Sequence, residues 1–378
     1  MHTVVVLGAG FGGLELAACL SESVADTARV VLIDQNDSFT FGFSKIDVLF
    51  RDRTPESVRI PYAELNRPGV EFRQERVTSI DPGTRRVVTD RSEYQPDTLV
   101  VALGAEYDSA ATPGFVADGH EYYSIEGTCR LRDRLAGFTG GTVVIGILSV
   151  PFKCPPAPYE GALLLHDSLT RRGMRASTRI HVVSPMPAPI PVSAETSAAL
   201  VAALAERDIG YTPGQRVHSL DPVRHVASTG DGELDYDLFI GIPRHRVPGV
   251  VEASGLTEGG ADGWIHVDPA TLATPYPGVY AVGDCADAPV PRAGVFAENA
   301  ARTVAAGIVA RLRGTPPPEK YLGRGSCYIE FGGGLVGKVD ADFLSGPAPV
   351  APLYGPSTEL AREKAEFAVT RHRRWFTG

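Results

Sequence analysis

The chain has 378 residues, 43% hydrophobic and 21% charged, which excludes a disordered tail or a coiled coil and predicts a multidomain globular protein. A formal net charge of -9 repels phosphate backbones, so no nucleic acid partner is expected. No apolar run approaches the roughly 20 residues of a bilayer span, and the N-terminus lacks the basic flank of a secretory signal; the reading is a cytoplasmic protein, with peripheral contact at the inner face of the membrane and a homodimer both left open.

Residues 3–7 form a β-branched apolar run, followed directly by Gly8-Ala9-Gly10-Phe11-Gly12-Gly13 and a helical stretch over residues 14–20. This strand, turn and helix give the GxGxxG pattern its meaning: Gly8 permits the tight turn, Gly10 lets a pyrophosphate approach the backbone, and Gly13 lets the helix pack on the strand. The helix N-terminus favours the phosphate charge. A second apolar run, residues 29–33, ends at Asp34, where a carboxylate can bind the ribose hydroxyls of an ADP moiety. The motif alone does not decide between NAD and FAD.

Residues 70–90 alternate in polarity and turn at Pro82-Gly83, which predicts a small antiparallel meander. Further on, residues 142–146, 158–172 and 180–184 read as strand, helix and strand, a second βαβ pattern. Its turn, Gly146-Ile147-Leu148-Ser149-Val150-Pro151-Phe152, lacks the glycines that a bound NAD pyrophosphate needs. NAD(P)H is therefore not the expected electron donor. Cys19, Cys129, Cys154, Cys285 and Cys327 form no CxxC pair and no Cys/His cluster, so neither a metal site nor a disulfide scaffold is expected.

Five segments carry a resemblance. Asp97-Thr98-Leu99-Val100-Val101-Ala102-Leu103-Gly104-Ala105 resembles the strand before the first crossover of two-dinucleotide-domain flavoproteins, with Leu103 where that family usually has Thr; Gly278-Val279-Tyr280-Ala281-Val282-Gly283-Asp284 resembles their second FAD motif. Phe152-Lys153-Cys154-Pro155-Pro156 and Gly325-Ser326-Cys327-Tyr328 resemble the cysteine segments of the sulfide:quinone oxidoreductase and flavocytochrome c sulfide dehydrogenase family, and Pro291-Arg292-Ala293-Gly294-Val295-Phe296 resembles the helix start that faces the flavin there.

The resemblance implies an α/β fold of two Rossmann-like, doubly wound domains of the glutathione-reductase type plus a short C-terminal segment. It implies a discontinuous FAD-binding domain (1–108 and 245–318), a second domain (109–244) whose NAD motif is lost, and a segment (319–378) that delivers Cys327. FAD is expected to be noncovalent, because residues 38–44, where cytochrome-linked members carry a tethering cysteine, contain none. Gly8, Gly10, Gly12, Gly13, Asp34, Ala102, Gly104, Gly283, Asp284, Arg292, Gly294 and Val295 are the expected cofactor residues. Many quinone-linked members carry a third cysteine directly after a Ser-Ile pair; here Ser124-Ile125 is followed by Glu126 and Cys129 lies three positions on, so whether Cys129 takes part is left open.

Catalysis by analogy falls to Cys154, Cys327 and Glu160. A bridge between the two cysteines would be attacked by sulfide, leaving a persulfide on one and a thiolate on the other able to add to flavin C4a. That thiolate needs a lowered pKa, for which Lys153 is a neighbouring cation. Glu160 reads equally as an acid/base or as first-turn helix capping, Arg292 as a flavin-facing cation or a surface residue, and the basic stretch 370–376 as lipid contact or dipole complement. The expected substrate is sulfide or a related small thiol or persulfide, and the acceptor a quinone or redox protein. The alternatives are an NAD(P)H-dependent quinone or ferredoxin reductase, or a flavin- and sulfur-carrying protein without turnover.

Overall fold

The structure, a computed structural model, describes residues 1–316 and 319–377. The apolar run near the N-terminus is the strand His2–Leu7, whose last four residues are buried. It sits centrally in a five-stranded parallel sheet, flanked by Ala28–Asp34 and Thr98–Val101, with Val70–Gln74 and Val279–Ala281 at the edges. Burial on both faces is what a parallel sheet with helices on either side requires. The helices Phe11–Val24 and Gly294–Arg313 pack together against it.

A second five-stranded parallel sheet repeats the arrangement. Its order is Gly119–His120, Leu238–Ile242, Gly141–Ile147, Thr178–Val183, Ile209–Thr212. Each sheet has a three-stranded antiparallel meander attached, Val77–Asp81, Arg86–Thr89 and Glu93–Tyr94 in the first and Val217–Asp221, Val226–Thr229 and Glu233–Asp235 in the second. An antiparallel pair, Glu106–Asp108 with Arg244–Arg246, links the two crossovers. No helix among the described residues is long and apolar enough to cross a membrane.

Two expectations need correction. The meander does not begin at residue 70: Val70–Gln74 is the parallel edge strand, with Val70 opposite Val30 and Phe72 opposite Leu32, and the meander runs from Val77 to Tyr94. Alternation alone does not distinguish a half-buried edge strand from a meander strand. Asp81 closes the turn at Pro82-Gly83 by accepting from the Gly83 and Thr84 N–H groups.

The C-terminal part is also more than a short segment. Arg324–Gly332, Leu335–Asp342 and Leu353–Ser357 form an antiparallel sheet, followed by the helix Thr358–Phe376, N-capped by Ser357. The hairpin sends Ile329, Phe331 and Val339 into the core of the second sheet, and the helix sends Phe367, Trp375 and Phe376 into that of the first. The expected boundary at residue 318 lies outside the described residues.

Candidate active site

A cavity of about 840 Å³ runs from the glycine loop to the cysteine loop. At its first end the Gly8 N–H donates to the Ile33 carbonyl (2.7 Å), closing the turn between two neighbouring strands. Gly8 has φ +97°, and a Cβ there would lie 2.3 Å from the Ala102 carbonyl oxygen. A Cβ on Gly13 would lie 1.9 Å from the Gly8 oxygen, so that glycine is needed for packing and does not line the cavity. Gly10 caps the helix, and a Cβ on it would meet nothing within 4 Å. The loop is thus fixed by backbone contacts on one side and open for a phosphate on the other. The Asp34 carboxylate accepts from the Ala9 N–H (2.8 Å) and the Asn36 N–H (2.9 Å), which holds it at the mouth of the loop.

Gly12, Ala102, Gly104, Gly283, Asp284, Arg292, Gly294 and Val295 line the same cavity. A Cβ on Gly294 would meet the Phe11 ring at 2.6 Å, so the start of its helix comes close to the glycine loop. Arg292 is not a free surface group: its guanidinium lies 3.7 Å from the Trp264 ring centroid, and its Nε donates to the Asp284 carbonyl. The open cradle at a helix N-terminus, together with glycines and a carboxylate further along the cavity, fits FAD.

At the other end, Cys154 follows the sheet strand Gly141–Ile147 in a loop where it has φ +54°, a left-handed conformation uncommon outside glycine. The Cys154 N–H donates to the Arg292 carbonyl (2.8 Å), tying this loop to the start of the helix Gly294–Arg313. Cys327 comes from the C-terminal hairpin, opposite Val339, and faces the same cavity. Both thiols are free. Burial, with Glu160 and Cys327 nearby, pushes the Cys154 thiol well above its ordinary range, and burial with Glu160 and Asp340 raises Cys327 to about 12. The expected lowering by Lys153 is not found. Its side chain turns away, donating to the Ala105 carbonyl (3.3 Å) and lying over the Tyr107 ring.

Glu160 is buried in the helix Ala157–Arg171. Its carboxylate does not cap that helix; Oε1 accepts from the Glu330 N–H of the hairpin (2.9 Å). Burial drives its pKa up to about 7 against the pull of Lys364. A carboxyl near neutrality, beside two cysteines, can take up and return a proton.

Sequence reasoning passed over several groups at this end. Lys45 is half-buried and lines the cavity; burial and Lys153 bring its ammonium down to about 8. Tyr122 and Tyr123 form part of the wall, donating to the Ala157 and Lys153 carbonyls and so bracing the cysteine loop. Glu330 and Lys364 form a buried pair described below. No local motif marks these residues, since each acts across the fold. Cys19, Cys129 and Cys285 lie off the cavity; Cys285 is buried against the Val101 and Val282 carbonyls.

The family model described as "Pyridine nucleotide-disulphide oxidoreductase" matches residues 2–306. The sulfide-quinone reductase of Aquifex aeolicus (strain VF5) is 28% identical, the match covering 95% of this chain and 86% of that protein. The mitochondrial sulfide:quinone oxidoreductase of Dictyostelium discoideum is 24% identical, over 86% of this chain and 74% of its own. The X-ray structure of the sulfide:quinone oxidoreductase from Aquifex aeolicus superposes with a TM-score of 0.85 at 22% identity, covering 100% of this chain and 93% of that one, a likeness of fold.

Proposed function

This chain belongs to the pyridine nucleotide-disulphide oxidoreductase family and is an FAD flavoprotein oxidoreductase, and on that premise we propose that it oxidises sulfide, or a related small thiol or persulfide, and passes the electrons to a quinone. The observation that carries the reading is the meeting of Cys154 and Cys327, distant in sequence, on one cavity with Glu160. The names of the relatives above support the donor and the acceptor. In this reading residues 1–108 and 245–318 bind FAD, residues 109–244 serve as a second unit without a nicotinamide cofactor, and residues 319–378 supply Cys327.

The residues act as follows. The Cys154 and Cys327 thiols would give up two protons and two electrons, the electrons to FAD where it is bound, as their Sγ atoms join. Hydrosulfide attacks one sulfur, its S–S bond breaks, the attacked cysteine keeps the new sulfur as a persulfide, and the other leaves as a thiolate. Glu160 takes the proton of the incoming hydrosulfide as the persulfide forms. Lys45 favours approach of an anion. FAD, when bound, supplies a two-electron acceptor for the sulfur oxidation and a donor to the quinone. Tyr122 and Tyr123 keep the cysteine loop in place throughout.

An anaerobic titration following flavin absorbance tests this. Sulfide bleaches the flavin, or gives a long-wavelength band from a thiolate against the ring, while NADH leaves the spectrum unchanged. Bleaching by NADH with no response to sulfide overturns the reading and favours a nicotinamide-dependent reductase.

A further inference from the structure

A group of buried charges stands behind the sulfur end of the cavity. Glu330, on the hairpin strand, has a side chain only 2% exposed. Its carboxylate accepts from Lys364 Nζ of the C-terminal helix (2.6 Å) and from Arg51 Nη2 (2.7 Å), which follows the helix Ser44–Phe50. Arg51 in turn bonds Asp47 (2.6 Å) at the solvent edge. The backbone N–H of Glu330 donates to Glu160. A single residue therefore fixes one carboxylate through its peptide and gathers two cations through its side chain.

We propose that Lys364 and Glu330 are positioning residues that set the charge and orientation of Glu160 at the sulfur cavity. The inference rests on the sulfur-oxidising reading above. Burying an ion pair is costly and seldom adds stability over apolar packing, and here three elements from distant parts of the sequence converge to do it. Each has a distinct effect on Glu160. Lys364, which also lines the cavity, favours the carboxylate; the Glu330 charge opposes it while its N–H supports it; Arg51 favours it more weakly. The other groups facing Glu160 are Cys154 from its loop, Cys327 from the hairpin, and Tyr122 and Tyr123 from the chain before the helix Ile125–Ala136. All four are neutral near pH 7. Lys364 is the strongest counter-charge on Glu160 and shares its cavity, and without it burial would favour the protonated carboxyl.

The test is a pH titration of the carboxylic acid C=O stretch of the FAD-loaded protein by infrared difference spectroscopy, with the Glu160 band identified by its loss in Glu160→Gln. Lys364→Met should move the midpoint up by about one pH unit or more, the usual effect of removing a close opposite charge. Glu330→Gln should move it down, because the opposing charge is removed and Lys364 is released toward Glu160. Lys364→Arg should restore the wild-type midpoint. Arg51→Gln, at the solvent edge, should give a smaller upward move, and it keeps the proposal testable if a core variant does not fold. An unchanged midpoint in Lys364→Met, or shifts of the same sign in Lys364→Met and Glu330→Gln, would overturn the proposal. The titration uses no sulfide, so it stands or fails apart from the sulfur reading.

Discussion

Glu15 lies in the helix after the glycine loop, fully buried, and holds the end of the C-terminal helix. Its carboxylate accepts from Trp375 Nε1 (2.7 Å), Arg374 Nε (2.9 Å) and Arg302 Nε (2.7 Å). Burial alone would raise its pKa, but these donors hold it at about 2 against an ordinary 4.5. That difference corresponds to about 3 kcal/mol of stability from the ionised form, at 1.36 kcal/mol per pH unit. Glu15→Gln should therefore cost about 3 kcal/mol at pH 7. The extra penalty of stranding a buried cation should be small, since the Arg302 and Arg374 side chains are 46% and 32% exposed and can turn to water. The sign with pH follows from the lowered value: the contribution is complete above the unfolded pKa of about 4.5, falls to roughly half by pH 3, and is gone below about 2. Urea unfolding can be followed by tryptophan emission in a Trp264→Phe background, because the chain has two tryptophans and Trp375 would be the reporter. The reasoning fails if the two proteins unfold at the same urea concentration at pH 7, or if the gap between them is as wide at pH 3 as at pH 7.

The two ends of the cavity give further predictions. Gly13→Ala, whose Cβ would strike the Gly8 carbonyl, should lower the thermal midpoint even without cofactor, whereas Gly10→Ala should leave the apoprotein midpoint unchanged and reduce bound FAD, read as the ratio of flavin to protein absorbance. Lys45→Met should retain FAD but weaken the apparent affinity for hydrosulfide by about tenfold below pH 8, equivalent to loss of one moderate charge interaction of ~1.4 kcal/mol. With the Lys45 ammonium at about 8, wild-type affinity should fall as pH rises through that value while the variant lacks this fall; stopped-flow flavin reduction above about pH 7.5, where Glu160 and sulfide are already ionised, reads both.

Legibility in the sequence tracked the range of the interactions involved. The strand, glycine turn and helix at residues 2–24 were readable because each signal lies within a few residues of the next. The same holds for the Asp81 turn and the second βαβ unit. Val70–Gln74 was misassigned because its partner is Val30–Asp34, and pairing at that distance leaves no local mark. Cys154 and Cys327 could be singled out only through family resemblance. Sequence adjacency points to Lys153 as the activating cation, yet its ammonium lies against the Ala105 carbonyl and the Tyr107 ring, a placement that adjacency does not encode. Lys364 could not be found from sequence, since its role depends on a helix laid across a hairpin.

The split cradle also bears on the order in which the protein can mature. Gly8, Gly10 and Asp34 leave the ribosome first, while Val279–Ala281, Gly283, Asp284 and Gly294 follow only after the whole of the second sheet has been made. At 5–20 residues per second this is a delay on the order of tens of seconds. During it the first strands lack their edge partner, and the helix Phe11–Val24 lacks both its neighbour Gly294–Arg313 and the Trp375 latch. Residues 119–242, by contrast, are uninterrupted and can fold as a unit while synthesis continues. On the proposed assignment of the FAD site, flavin capture belongs to the end of biogenesis, and a nascent chain stalled before residue 279 would present an apolar sheet edge for chaperones to shield.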